Sequence, residues 1–156
     1  MTELTALTNH QIRLRTRPSG LPTRDNWEFT TEPVTEPVEG GVLVKTLAIS
    51  LDPAMRGWMN EGKSYIAPVG IGEVMRAGGI GKVIASKNAA FEVGDTVSCS
   101  PGVQEYCLVA DDQIKRAGFF KIDTRLGTPH QWLNVLGMPG MTGYFRVDGC
   151  RHAARR

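Results

Sequence analysis

The chain has 156 residues, with 18 basic and 16 acidic side chains and a net charge of +2. This length suits one domain, and 41% apolar with 22% charged residues is typical of a folded globular protein rather than a disordered one. So small a net charge gives no electrostatic basis for binding nucleic acid or an anionic membrane surface, and we expect neither partner.

Localisation and redox state follow from what the sequence lacks. The first 15 residues contain no apolar run of the kind found in signal peptides, and no stretch approaches the roughly 20 apolar residues that span a bilayer. These features predict a cytoplasmic protein. The three cysteines, Cys99, Cys107 and Cys150, are odd in number and irregularly spaced, which predicts reduced thiols rather than a disulfide framework.

The first third of the chain contains short strand patterns separated by turn residues. Residues 1–10 are predicted to form a loose leader. Residues 11–17 alternate apolar and basic side chains as a half-buried strand does, and residues 27–31 alternate again before a proline. Residues 42–49 (VLVKTLAI) are rich in β-branched side chains and form the strongest strand pattern of the chain.

The middle of the chain is rich in glycine. Residues 50–70 are predicted to be irregular, with one helical turn opening at Pro53. The glycines that follow favour a bent strand pair around residues 78–79, because they lack the spacing and the following helix of a phosphate-binding loop. Further strands are predicted, and they cover residues 95–99, 103–109 and, more weakly, 114–122.

The pattern changes to helix near the end. Thr128 is a suitable N-cap, Pro129 suits the first helical position, and an apolar helical stripe runs to Gly137. A second helix is predicted to begin within residues 140–145. Many short strands followed by helices predict a mainly β domain, a partly open barrel with short C-terminal helices.

Five phrases of the chain match a known family: residues 50–59 (SLDPAMRGWM), 71–76 (IGEVMR), 93–97 (VGDTV), 104–106 (QEY) and 136–145 (LGMPGMTGYF). With them the chain resembles the N-terminal, GroES-like domain of the medium-chain dehydrogenases/reductases. Within that superfamily it is most similar to the zinc-independent branch of prostaglandin reductases, leukotriene B4 12-hydroxydehydrogenase, plant double-bond reductases and bacterial curcumin reductase. The first and last phrases are specific, whereas VGDTV is common to the superfamily.

The resemblance implies an oxidoreductase that uses NADP, transferring a hydride from NADPH to the β-carbon of a small enone or enal. Met138 and Thr142 would then lie against the nicotinamide end of the cofactor, although helix packing and capping are the alternative roles. Ala54, Met55 and Tyr65 would line the substrate pocket, with core packing or loop anchoring as alternatives. The resemblance assigns no catalytic residue. Full-length relatives can form homodimers.

Two departures from family patterns bear on the chemistry. Reductases of this branch often carry tyrosine where this chain has Ala54, which implies a roomier pocket. Zinc-dependent relatives have ligands where this chain reads Leu51-Asp52-Pro53 and Ile71-Gly72-Glu73, without cysteine or histidine. We therefore expect no metal, which favours hydride addition to an activated double bond over alcohol oxidation.

The domain division follows from the same comparison. We expect a GroES-like domain over residues 11–145, an atypical basic tail over residues 146–156, and no Rossmann domain for the cofactor. A frameshift or premature stop is our hypothesis for the tail, and a tail that binds an acidic partner is the rival. The chain is then expected to be inactive alone. The alternatives are a non-enzymatic barrel module that binds a partner domain, and a quinone-reductase-like member of the superfamily.

Overall fold

A computed structural model describes residues 7–62, 64–116 and 118–153 of the chain. Over these residues seven strands form two antiparallel sheets, and three of the four helices have five residues or fewer. The mainly β prediction is confirmed. No helix in the described ranges is both long and apolar enough to cross a membrane.

The strands and helices follow one another with short connections. The strands are β1 (Thr8–Leu14), β2 (Trp27–Pro33), β3 (Val42–Ile49), β4 (Gly79–Ser86), β5 (Thr96–Cys99), β6 (Tyr106–Val109) and β7 (Phe120–Lys121). The helices are α1 (Ala54–Trp58), α2 (Asp111–Ile114), α3 (Pro129–Leu133) and α4 (Met138–Ala153). β1 and β2 form one sheet, and the other five strands form the second in the order β6-β3-β4-β5-β7.

Two buried clusters form the core. The first lies within the five-stranded sheet and consists of Val42, Val44, Val83, Phe91, Val97, Cys99 and Val109. The second joins β1 to α1 and the loop before β4, and consists of Leu14, Met55, Met59, Val69, Met75 and Ala77. Burial of these side chains fixes the position of α1 against the sheet, because each buried apolar side chain contributes roughly 1.5–3 kcal/mol.

The longest strand pair is bent rather than regular. The register between β3 and β4 shifts twice, between Leu43 and Val44 and again between Thr46 and Ala48. Gly81 lies at this bend, where a Cβ atom would clash with Val44 Cγ1. Glycine is therefore required there by the close approach of β3.

Several local predictions are wrong, each for a physical reason. The predicted leader, residues 1–10, is too long, because β1 already begins at Thr8. Residues 1–6 lie outside the described ranges. The glycine-rich stretch forms one strand, β4, rather than a bent strand pair, because the chain before Gly79 bonds to β1 and β3 as irregular loop. Residues 114–122 contain the end of α2 and the two-residue β7.

The start of α3 agrees with the sequence, whereas α3 ends at Leu133 rather than near Gly137 and α4 begins at Met138 rather than within residues 140–145. The Thr128 hydroxyl accepts from the Gln131 amide, and the Gln131 side chain accepts from the Thr128 amide, so α3 begins with a capping box. α4 runs through Ala153, so the change in pattern after Phe145 does not end it.

Candidate functional site

The loop from β3 to β4 carries three of the predicted site residues. α1 opens directly after Pro53, with a bond from the Met55 amide to the Asp52 carbonyl at 2.9 Å. Ala54 is exposed on this helix, whereas the Met55 side chain is buried in the second core cluster. Ala54 is therefore open to solvent on this helix, whereas Met55 is part of the core.

Tyr65 is held by a neighbour on α1. The Trp58 indole Nε1 donates a hydrogen bond to the Tyr65 hydroxyl oxygen at 2.8 Å, while the Tyr65 side chain remains 82% exposed. The Arg76 guanidinium lies 5.5 Å from the centroid of a Trp58 ring and donates to the Ala67 carbonyl at 3.0 Å. Since the indole uses one lone pair of the hydroxyl oxygen, the O–H proton of Tyr65 remains available for a ligand.

Two arginines, one of them on α1 itself, connect this helix and its flanking residues to the surrounding backbone. Arg56 donates to the carbonyls of Gly20 at 2.7 Å and Pro18 at 3.0 Å. Arg17 donates to the carbonyls of Met59 at 2.6 Å and Val69 at 3.2 Å. Because charged groups make strong hydrogen bonds, these contacts keep the short helix in place although it is too short to be stable by itself.

The two predicted cofactor residues lie on α4. Met138 is 76% exposed and Thr142 is exposed as well. In the described part of the chain, no hydrogen bond or buried cluster joins either residue to α1 or to Tyr65. The structure thus brings Ala54, Met55 and Tyr65 into one loop and leaves Met138 and Thr142 on a separate exposed helix.

The region of α3 and α4 exposes many large apolar side chains. They are Leu126, Val135, Leu136, Met138, Met141, Tyr144, Phe145 and Val147. Exposed apolar groups clustered in one region of a chain are typical of a surface that packs against another structure.

One cleft was not predicted from the sequence. It has a volume of about 470 Å³ and lies between β1, β2, the end of β3 and residues 103–105. Its apolar lining includes Ile12, Phe29, Leu47, Ile49 and Val103. Neither α1, Tyr65 nor α4 contributes to its walls. Ile49 and Val103 also pack on the core cluster that contains Met55, so the cleft lies behind the predicted pocket loop.

A hydrogen bond between a histidine and a carboxylate lies at the wall of this cleft. His10 Nδ1 lies 2.7 Å from Glu105 Oε2, and the hydrogen bond from His10 lowers the pKa of the Glu105 carboxyl. Both side chains are more than half exposed, so the pair contributes little to stability. The alternating pattern of β1 was the available signal for this region. It could not predict the contact with Glu105, because Glu105 is distant in sequence.

Buried amides lie between the two sheets. Gln11 Nε2 donates to Gln104 Oε1 at 2.9 Å, and Asn9 Nδ2 donates to the same oxygen at 3.1 Å. Arg13 donates to Gln11 Oε1 from Nη2 at 2.6 Å. Asn9 and Gln11 are buried, so each amide needs these partners to offset its loss of water.

The metal-ligating residue types are scattered. Within the ranges the structure describes, no three His, Cys, Asp or Glu side chains are grouped to hold a metal ion. Burial raises the pKa of the Cys99 thiol to about 12 and that of Cys107 to about 11. Both side chains are protonated at neutral pH and pack as small apolar groups.

A family model identifies the class of protein to which the chain belongs. Residues 10–117 match a family model described as the N-terminal domain of oxidoreductase. The chain belongs to this family.

Two similar proteins show which kind of oxidoreductase the chain resembles. The chain is 38% identical over 136 residues to the NADPH-dependent curcumin reductase of Escherichia coli, covering 87% of this chain and 38% of the relative. It is 32% identical over 143 residues to the NADP⁺-dependent 2-alkenal reductase of Nicotiana tabacum, covering 88% of this chain and 40% of the relative. The chain thus spans about two fifths of the length of these relatives.

A solved structure agrees with the sequence relatives. The crystal structure of CurA from Vibrio vulnificus is 41% identical, with a TM-score of 0.78, covering 88% of this chain and 39% of CurA. The structure of CurA in complex with NADPH gives a TM-score of 0.77 at 39% identity, covering 87% of this chain and 39% of CurA. The expected family, NADP-dependent oxidoreductases at their N-terminal domain, is confirmed.

Proposed function

We propose that the chain is the substrate-side domain of an NADPH-dependent reductase that reduces the C=C bond of α,β-unsaturated carbonyl compounds. The observation that carries this proposal is the α1 loop. It keeps the exposed Tyr65 hydroxyl in place through Trp58 and also carries the exposed Ala54, in the sequence region shared with the reductases.

The proposed chemistry needs a hydrogen-bond donor at the substrate oxygen. NADPH, when bound, supplies the hydride that is added to the β-carbon, and negative charge then develops on the carbonyl oxygen. The Tyr65 hydroxyl donates to that oxygen, while its own oxygen accepts from Trp58. Ala54 leaves space for the substrate, and Met55 supports the wall from within the core.

The cofactor side of the proposal rests on α4. NADP is the cofactor of the named relatives, and Thr142 offers a hydroxyl that suits the carboxamide of a nicotinamide. Met138 offers an apolar wall. The exposed apolar side chains of α3 and α4 support packing against a cofactor domain of the kind the longer relatives have room for. We propose that residues 11–145 form the substrate domain and that it needs such a domain for activity.

The same exposed surface favours a second candidate. A non-enzymatic module that binds a separate partner domain would also present unpaired apolar side chains on α3 and α4. Once a cofactor domain is supplied, the reductase domain would reduce an enone, whereas the non-enzymatic module would not.

A chimera tests the proposal. Residues 9–145 of this chain replace the aligned N-terminal part of the E. coli curcumin reductase, and NADPH oxidation is followed with curcumin or a simple enone. We expect enone-dependent NADPH oxidation by the chimera and none by the 156-residue chain alone. A folded chimera that binds NADPH but reduces no enone contradicts the enzymatic proposal and favours the binding module.

Variants of the chimera test the residues. Tyr65→Phe is expected to lower kcat about 10- to 100-fold, because it removes a donor to the developing charge. Thr142→Val is expected to raise the KM for NADPH with little change in enone binding. Tyr106→Phe, which removes a hydroxyl from β6, is the control and is expected to leave both constants unchanged. Equal effects of Tyr65→Phe and Tyr106→Phe would remove Tyr65 from the proposed site.

A further inference from the structure

β2 is an edge strand whose outer side is open in the described ranges. It pairs with β1 alone, in a register that places Ile12 opposite Phe29. The amide and carbonyl of Ile12 bond away from β2, to Val103 and Met75 at 2.9 Å each. In an antiparallel pair this makes Ile12 and Phe29 a non-hydrogen-bonded pair. The backbone amides and carbonyls of Phe29 and Thr31 therefore point out from the sheet.

On one face of β2, the side chains are of types that favour pairing with another strand. Trp27, Phe29 and Thr31 alternate onto the same face of β2, and Phe29 is 60% exposed. Aromatic and β-branched side chains are the types that pair best across strands. Pro33 has no amide proton and ends the open edge, which leaves residues 27–31 to pair.

We propose that this edge binds a second copy of the chain, with the two β2 strands antiparallel and Phe29 opposite Phe29 at the two-fold axis. In this register the outward amide and carbonyl of each Phe29 bond to those of the other. The Thr31 amide of each copy bonds to the Trp27 carbonyl of the other. The seven strands of each copy remain as they are, because the groups used have no partner within the described chain.

The side-chain pairs favour this partner and this register. Phe29 meets Phe29, Trp27 meets Thr31, and Glu28 meets Thr30, so no like charges face each other. A shift that centres the pairing on Thr30 would place Glu28 directly opposite Glu32, and like charges there are destabilising. The edge is thus self-complementary in one antiparallel register, as a symmetric dimer contact requires.

The experiment measures self-association of the 156-residue chain by sedimentation equilibrium, with amide hydrogen exchange as the local readout. A contact of two strands is small, so we expect dissociation on the order of 10–100 µM. Amide protection at Phe29 and Thr31 should rise with protein concentration. Thr31→Pro removes the outward amide without breaking a bond to β1, and is expected to weaken the dimer at least about tenfold.

Controls separate this edge from other surfaces. Thr31→Val keeps the amide and the β-branched shape, so its dimer should match the original. Phe29→Glu places like charges at the two-fold axis and should also abolish the dimer. This variant replaces Thr31→Pro in the test if circular dichroism shows that Thr31→Pro does not fold. A monomer at every concentration overturns the proposal. A dimer that persists in both Thr31→Pro and Phe29→Glu also overturns the proposal. This holds whether or not Phe145→Ser on α4 disrupts that dimer.

Discussion

The Trp58 indole nitrogen donates to the Tyr65 hydroxyl oxygen at 2.8 Å, and this bond ties an exposed side chain to the core. Trp58 packs against the cluster that contains Met55 and Met75, whereas Tyr65 is almost wholly exposed. An exposed tyrosine without such a partner would sample several rotamers. The bond therefore restricts the Tyr65 side chain and fixes the position of its hydroxyl group.

Removal of this bond should loosen Tyr65 more than it destabilises the fold. Trp58→Phe keeps an aromatic ring in the core but loses the indole donor, and is expected to cost about 1 kcal/mol of unfolding free energy. Tyr65→Phe should cost less than about 1 kcal/mol, because the site is exposed. A double-mutant cycle by urea unfolding should give a coupling of about 0.5–1 kcal/mol. Strictly additive effects would show that the bond is not formed in solution.

The buried amides between the sheets should be sensitive to loss of one partner. Gln11→Met keeps the side-chain length but leaves Gln104 Oε1 and the Arg13 guanidinium with fewer partners. We expect a loss of roughly 1–3 kcal/mol in unfolding free energy, because buried polar groups would be left unpaired. The control is Gln113→Met on α2, an exposed amide that should cost under about 1 kcal/mol. Equal losses for the two would contradict the network.

Two glycine substitutions should have opposite effects. In Gly81→Ala the new Cβ would clash with Val44 Cγ1 and lie 2.8 Å from the Lys45 carbonyl oxygen, so about 1–3 kcal/mol of unfolding free energy should be lost. In Gly143→Ala nothing lies within 4 Å of the new Cβ, and alanine favours the α4 helix by up to about 1 kcal/mol. Thermal unfolding would compare the two. A neutral Gly81→Ala would mean that β3 and β4 are not so closely paired.

The ion pair between Asp95 and Lys121 should give acid sensitivity to the β5–β7 edge. The Lys121 ammonium at 2.7 Å and then the Glu92 amide lower the pKa of Asp95. A lowered carboxyl pKa contributes stability that is fully present above the unfolded value of about 3.9 and is lost as the pH falls through the folded value. The side chain is partly exposed, so the contribution is about 0.5–1 kcal/mol.

The variant Asp95→Asn isolates this contribution. It should be less stable than the original chain at pH 7, and the difference should shrink as the pH falls below about 4. Urea unfolding at several pH values measures it. A difference that stays constant down to pH 2 would show that the carboxylate charge plays no part.

The sequence predicted the elements whose signals are local and missed those that depend on distant contacts. The β-branched run of β3 and the Thr128–Pro129 start of α3 carry their own signals, and both are present. The glycine-rich start of β4 was misread, because Gly79 and Gly81 serve close packing against Pro101 and β3 rather than a turn. No local pattern could indicate that Gln104 would meet Gln11.

The site shows the same division. Ala54 was identified within a matching phrase and Tyr65 by its position after that phrase, but Trp58, which holds Tyr65, was not singled out. A buried or half-buried indole needs a partner for its N–H, and this was the available signal. The cleft beside β2 is formed by four segments distant in sequence, so its lining could not be predicted from any one of them.

Product analysis with labelled cofactor tests the central claim most directly. The chimera with the curcumin reductase cofactor domain is supplied with NADPH deuterated at the transferred position and with an enone. We predict that the deuterium appears on the carbon β to the carbonyl and that the carbonyl is retained. Deuterium on the carbonyl carbon of an alcohol product would contradict the assignment of this chain to double-bond reduction.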